Sequence, residues 1–170
     1  MTRTAGYAVA IVIGGTCAEG REVVRTLASQ GYALAVVYLE DQSEAEATVE
    51  EVLAAGGAAV TVRADLTDDL DVERVFTETI AAFAGVDVLV HITTHGASVL
   101  YEHASRHLRP GSAIFSVSSA GQLTPMLAQR LRERDVTING APPGVGHAGA
   151  GHEVSDLLAM LDRWQDQPAP

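Results

Sequence analysis

Three groups of residues in this chain have types and spacings that could do chemistry. The stretch Gly14-Gly15-Thr16-Cys17-Ala18-Glu19-Gly20 stands between an apolar run and a helical pattern. In that place, backbone N–H groups and a helix dipole can cradle a phosphate. His91 and Ser119 could act as base and nucleophile if the fold brings them together, although no acidic orienter and no nucleophile elbow accompany them. The plainer alternative makes His91 a satisfied strand-end residue. His95, His103 and His107 invite a metal reading, since the last two stand four apart on a helical pattern. No cysteine and no carboxylate at a clear ligand spacing joins them, so a solvated helix face is the expectation and no metal is expected. Cys17 is a lone thiol in a loop and reads as incidental. The chain has no lysine at all; its eleven basic residues are all arginine. That excludes a P-loop lysine, a Schiff base and any lysine acid/base catalyst.

The elements that would position these residues alternate between strand and helix patterns. Tyr7–Ile13 is an unbroken apolar run, the pattern of a strand buried on both faces of a parallel sheet. Val23, Val24, Leu27 and Ala28 give the helical face after the glycine loop, ending at Gly31. A second strand, Ala33–Leu39, runs into Glu40-Asp41. Ser43 and Glu46 have capping-box spacing ahead of Val49, Val52 and Leu53. Ala58–Val62 predicts a third strand, and Val72, Val75, Phe76, Thr79, Ile80 and Phe83 a helix up to Gly85. Val86–Ile92 predicts the fourth strand, Ser98–Leu108 a shorter helix and Ser112–Val117 the fifth strand. Thr124 and Pro125 open another helix as N-cap and first helical residue, with Arg130, Arg132 and Arg134 suiting its C-terminal dipole. Val136–Ile138 is a brief sixth strand, and Val154, Leu157, Leu158, Leu161 and Trp164 mark a last helix. In a doubly wound order the fourth and fifth strands are neighbours, which would place His91 and Ser119 near the ligand crevice.

Composition narrows the class. At 170 residues and 47% apolar the chain can bury a core without disulfides. A single cysteine suits a reducing cytoplasm. The net charge of −11 argues against nucleic acid or an anionic membrane as partner. No run approaches membrane-spanning length, and the N-terminal apolar segment leads straight into the glycine loop, as a core strand does and a signal peptide does not. With no linker or repeat, residues 1–170 are expected to form one domain.

The chain resembles the short-chain dehydrogenase/reductase family, in a shortened and degenerate form. The resemblance rests on the loop around Gly14 and Gly20, on Ala64-Asp65-Leu66-Thr67, on Asp87-Val88-Leu89-Val90, on Ser118-Ser119-Ala120-Gly121, and on Val136-Thr137-Ile138-Asn139 before Pro143-Gly144. It implies an α/β, doubly wound parallel sheet (Rossmann-like) of about six strands, here lacking the usual final strand. It also implies NAD(P) binding at Gly14, Gly15, Gly20, Glu40 and Asp65. The middle glycine of the family loop is Ala18 and the next residue is Glu19; both weaken a pyrophosphate site. A carboxylate at Glu40 disfavours a 2′-phosphate, so NAD is the cofactor expected if one binds, with no cofactor as the alternative.

The family's reductases use a serine, which Ser119 matches, together with a tyrosine and a lysine. Here the tyrosine position falls in the helix Leu127–Arg134, which has none, and the lysine does not exist. His91-Ile92-Thr93-Thr94 replaces the family's Asn-Asn-Ala-Gly, and the segments Thr94–Gly111 and Gly121–Arg132 look cut down. The expectation is a binding or structural partner without reductase activity, the alternative a rebuilt site around Ser119 and His91. An uncovered edge at Val136–Ile138 and the apolar stripe of the last helix predict a homo-oligomer or a hetero-oligomer with a related reductase.

Overall fold

The computed structural model describes residues 7–92, 97–116, 123–139 and 154–166. In chain order these form β1 (Val9–Ile13), α1 (Ala18–Ser29), β2 (Ala33–Tyr38), α2 (Gln42–Ala54), β3 (Ala58–Arg63), α3 (Asp69–Phe83), β4 (Val88–His91), α4 (Ala97–His107), β5 (Ala113–Ser116), α5 (Pro125–Glu133), β6 (Thr137–Asn139) and α6 (Val154–Gln165). Every strand pairing is parallel and the order is β3-β2-β1-β4-β5-β6. This is the doubly wound α/β arrangement that the sequence predicts. The chain reverses its winding direction between β1 and β4, and a crevice opens at their C-terminal ends. Ile13 pairs with His91 there, so the glycine turn and the end of β4 sit side by side.

All five residues of β1 are buried, because helices cover both faces of the sheet. Val23, Val24 and Leu27 of α1, Ala45, Val49 and Val52 of α2, and Leu157, Leu161 and Trp164 of α6 pack on one face. Val72, Val75 and Phe76 of α3, Leu100, Tyr101 and Ala104 of α4, and Leu127 and Leu131 of α5 pack on the other. Thr124 caps α5 as expected, accepting from the Leu127 N–H at 3.2 Å with Pro125 following it.

Several expectations are corrected. Three residues of the α6 stripe are core: Leu157, Leu161 and Trp164 are buried, with Leu158 partly buried beside them, and Trp164 stands edge-on to Phe115 at 6.2 Å. The reason is that α6 covers the part of the sheet around β5 that α1 and α2 leave open. Ser43 and Glu46 form no capping box; α2 starts earlier, at Gln42 after Asp41, and Glu46 instead accepts from the Gln42 side chain at 2.7 Å. The strand β1 begins at Val9, with Tyr7 exposed ahead of it. Arg134 serves a helix other than its own. Its guanidinium donates to the carbonyls of Ser105, Arg106 and Leu108 at 2.8, 2.7 and 2.9 Å, capping the C-terminal end of α4. Arg130 reaches Glu102 of α4 at 2.8 Å. Among the described residues β6 pairs with β5 alone and ends the sheet.

Candidate functional site

The turn after β1 is built by contacts that tolerate only glycine at two positions. Gly14 has φ +85°, in the left-handed region. A Cβ on Gly20 would lie 2.0 Å from the Gly14 carbonyl oxygen and 2.7 Å from Gly15 Cα, so the first turn of α1 rests directly on the backbone of the loop. Cys17 is the N-cap of α1; its sulfur accepts from the Gly20 N–H at 3.3 Å, and its thiol donates to the Gly14 carbonyl at 3.0 Å. The lone cysteine thus has a structural task that its sequence position does not announce. Ala18 and Glu19 follow it on the exposed first turn, so the Cβ and the carboxylate absent from the family loop stand at the helix N-terminus.

Glu40 and Asp65 follow β2 and β3, so the two carboxylates stand on the same edge of the sheet as the glycine turn. Glu40 is exposed. Asp65 is partly engaged, for its Oδ1 accepts from both the N–H and the hydroxyl of Thr67, at 2.9 and 2.7 Å. Those two bonds hold its carboxyl below the ordinary aspartate value. A tight glycine turn, a helix N-terminus and two carboxylates on adjacent strands are the groups at this edge that could hold the adenosine half of a dinucleotide. The fit is weakened where Glu19 sets a negative charge beside the phosphate position.

At the end of β4 the sequence singles out His91, and the structure buries it completely. His91 Nδ1 lies 3.1 Å from the Tyr101 hydroxyl, with the two rings edge-on at 5.7 Å. Ser116 is opposite His91 in the β4–β5 register and also bonds Tyr101. Burial pushes the Tyr101 phenol above its ordinary value, opposed by the Ser116 bond, so the hydroxyl stays protonated. His91, Tyr101 and Ser116 form a buried polar cluster that ties the ends of two strands to α4. Tyr101 and Ser116 escape the sequence reading. The signal for Tyr101 is its place on the same helical face as Ala97, Leu100 and Ala104. Ser119 and His95 lie outside the described residues.

The remaining tyrosines are not on α5 either. Tyr7 is exposed ahead of β1, and Tyr32 precedes β2 at the opposite edge of the sheet, where its hydroxyl accepts from Gln165 at 3.0 Å. Tyr38 closes β2.

His103 overturns the expectation of a solvated helix face. Its side chain is 3% exposed, its Nδ1 lies 2.6 Å from Glu73 Oε2 and its Nε2 lies 2.9 Å from Asp69 Oδ1. His107 Nε2 lies 2.9 Å from the same Glu73 oxygen. The carboxylates come from α3, which packs against α4, so no spacing within the α4 sequence could reveal them.

Comparison with known proteins agrees with this architecture. Residues 8–110 match the family described as short chain dehydrogenase. The chain is 35% identical to a 3-oxoacyl-[acyl-carrier-protein] reductase of Staphylococcus aureus, over 88% of this chain and 78% of that protein. That alignment runs over 193 positions, more than the chain's 170 residues, so the relative carries internal segments that this chain lacks. Among solved structures, a dehydrogenase/reductase from Sinorhizobium meliloti superposes with a TM-score of 0.70 at 26% identity, covering 98% of this chain and 90% of that one. A short chain dehydrogenase from Burkholderia cenocepacia, crystallised with NADP, gives a TM-score of 0.71 at 22% identity, covering 91% and 88%.

Proposed function

The chain belongs to the short-chain dehydrogenase family, and from that premise we propose that it is a non-reducing member, a single Rossmann-like domain that binds rather than turns over. The observation that carries this reading is chemical: the sequence holds no lysine, and α5 holds no tyrosine. Reduction in this family polarises a carbonyl with a tyrosine whose proton is loosened by a neighbouring lysine. Neither half of that pair can be assembled here. Tyr101, the one tyrosine packed beside His91, is buried and held in its protonated form.

NAD is the ligand this reading assigns to the Gly14 turn, with Gly15 and Gly20 holding the turn's shape. Glu40 would meet the adenosine ribose and repel a 2′-phosphate, and Asp65 stands on the next strand. When bound, the dinucleotide would supply a hydride donor, but no proton donor of the family's type accompanies it. Among the described residues β6 pairs on one side only, which supports a protein partner, since an unpaired edge strand invites further pairing. A second copy of this chain or a full-length reductase of the family, in the cytoplasm, fits that role.

A second reading makes His91 and Ser119 a rebuilt catalytic pair, favoured by the polar cluster at the ends of β4 and β5. Titration calorimetry with NADH and NADPH, beside a carbonyl-reduction assay, separates the two. The first reading expects NADH to bind more tightly than NADPH, with no turnover. Turnover that disappears on Ser119→Ala overturns it.

A further inference from the structure

We propose that Glu73, His103 and His107 form a binding site for one divalent transition-metal ion, of the Zn2+ class, bridging α3 and α4. This goes beyond the dinucleotide reading and does not depend on it. The three residues each offer one ligand atom, and those atoms lie within 4.8 Å of one another. Two of them come from one helix at a spacing of four, which sets both imidazoles on one face. The third comes from the neighbouring helix.

The hydrogen-bond pattern is what points to a cation. Asp69 Oδ1 lies 2.9 Å from His103 Nε2, and in the neutral tautomer that carries its hydrogen on Nε2 the ring donates it to that carboxylate. In the neutral ring His103 Nδ1 then carries a lone pair, and it faces Glu73 Oε2 at 2.6 Å, acceptor against acceptor. A cation between the two atoms turns that opposition into ligation. It also uses the third atom, because His107 Nε2 approaches the same oxygen at 2.9 Å. In a tetrahedral site with metal–ligand bonds of 2.0–2.1 Å the ligand atoms stand about 3.3 Å apart, so the Glu73 oxygen needs to draw away from His103 Nδ1 by about 0.7 Å and from His107 Nε2 by about 0.4 Å.

The surroundings match the same purpose. Asp69 orients His103 as the outer carboxylate of a carboxylate–histidine–metal arrangement does. Phe76 stacks against both imidazoles, at 5.4 Å from His107 and 6.5 Å from His103, and the two imidazole planes lie within 4° of parallel. The rings are thereby fixed before any ion arrives. Glu73 and His107 are partly exposed, which leaves an entry path and a fourth position for water. Two imidazoles select a borderline-soft ion over Mg2+ or Ca2+. Bound there, the ion would clamp the short α4 onto α3.

The test titrates untagged, chelator-treated full-length protein with Co2+, read by visible absorption, and with Zn2+, read by calorimetry and thermal melting. One ion per chain, a tetrahedral Co2+ spectrum and a raised melting temperature are expected. His107→Gln should abolish the Co2+ spectrum. Asp69→Asn, at a largely exposed position, should weaken Zn2+ binding roughly 10–100-fold. Both variants should melt cooperatively without metal, which separates lost ligation from lost folding. Absence of binding in the wild type overturns the proposal. So does binding that His107→Gln leaves unchanged, which would place the ion on other histidines, or that Asp69→Asn leaves unchanged.

Discussion

Substituting Gly20 by alanine separates two roles that a glycine-rich loop combines. The added Cβ would stand 2.0 Å from the Gly14 carbonyl oxygen, 2.7 Å from Gly15 Cα and 2.8 Å from the Gly14 carbonyl carbon. All three are backbone atoms of a turn already held by Cys17, so no flexible side chain can move aside. Overpacking of this kind costs about 3 kcal/mol, and the better helix propensity of alanine returns roughly 1 kcal/mol. The expected net loss of about 2 kcal/mol lowers the melting temperature by roughly 4–8 °C for a domain of this size. Urea denaturation with an unchanged m-value is the primary assay. Ala18→Gly is the control. Ala18 is exposed at the first helical position, so this change should cost under about 1 kcal/mol and bear on ligand approach alone. A Gly20→Ala protein as stable as the wild type would refute the claim that the turn rests on this contact.

Ala18→Gly with Glu19→Ile should strengthen NADH binding by about 1–3 kcal/mol in calorimetry, by removing a Cβ and a carboxylate from the phosphate position. Unchanged affinity would mean that something else closes the site. Leu161→Ala should destabilise by about 2–5 kcal/mol in urea, without changing the mass seen by light scattering, because Leu161 is core; a milder loss with a change of mass would restore the docking-face reading. Tyr101→Phe removes a buried hydroxyl that bonds His91 and Ser116 and should cost about 1–3 kcal/mol. The folded Tyr101 value lies above its ordinary one, so its contribution is complete below the unfolded value and fades as pH rises past it, a fade that the variant should lack. Glu73 shifts the other way. Its contribution is present above the unfolded glutamate value and fades as pH falls towards its folded value, so the acid limb of stability against pH should flatten in Glu73→Gln.

Much of the fold is legible because both faces of the sheet are covered. Buried strands such as Val9–Ile13 leave continuous apolar runs, and the glycine at position 31 closes α1 where the pattern stops. Strand ends are less legible. Val86 is buried although it precedes the β4 ladder, so the apolar run overshoots the pairing. The role of α6 depends on how much sheet the other helices leave bare, which no local pattern records.

The glycine turn and the positions of Glu40 and Asp65 follow from the family blocks. The environment of His103 does not, because its partners Glu73 and Asp69 stand 30 and 34 residues away in sequence. Arg134 is similar. Its own helix suggests a dipole role there, yet the carbonyls it caps belong to α4.

A chain that keeps a dinucleotide frame and has lost the proton-donating pair should bind NADH without consuming it. Following NADH fluorescence during titration with protein, in the presence of a ketone and a 3-oxoacyl thioester, tests both halves at once. An enhanced or blue-shifted emission that saturates with protein and then holds constant over time is expected. Emission that decays at a rate proportional to protein concentration contradicts the loss of reductase chemistry, and emission that never responds to the protein contradicts the retained frame.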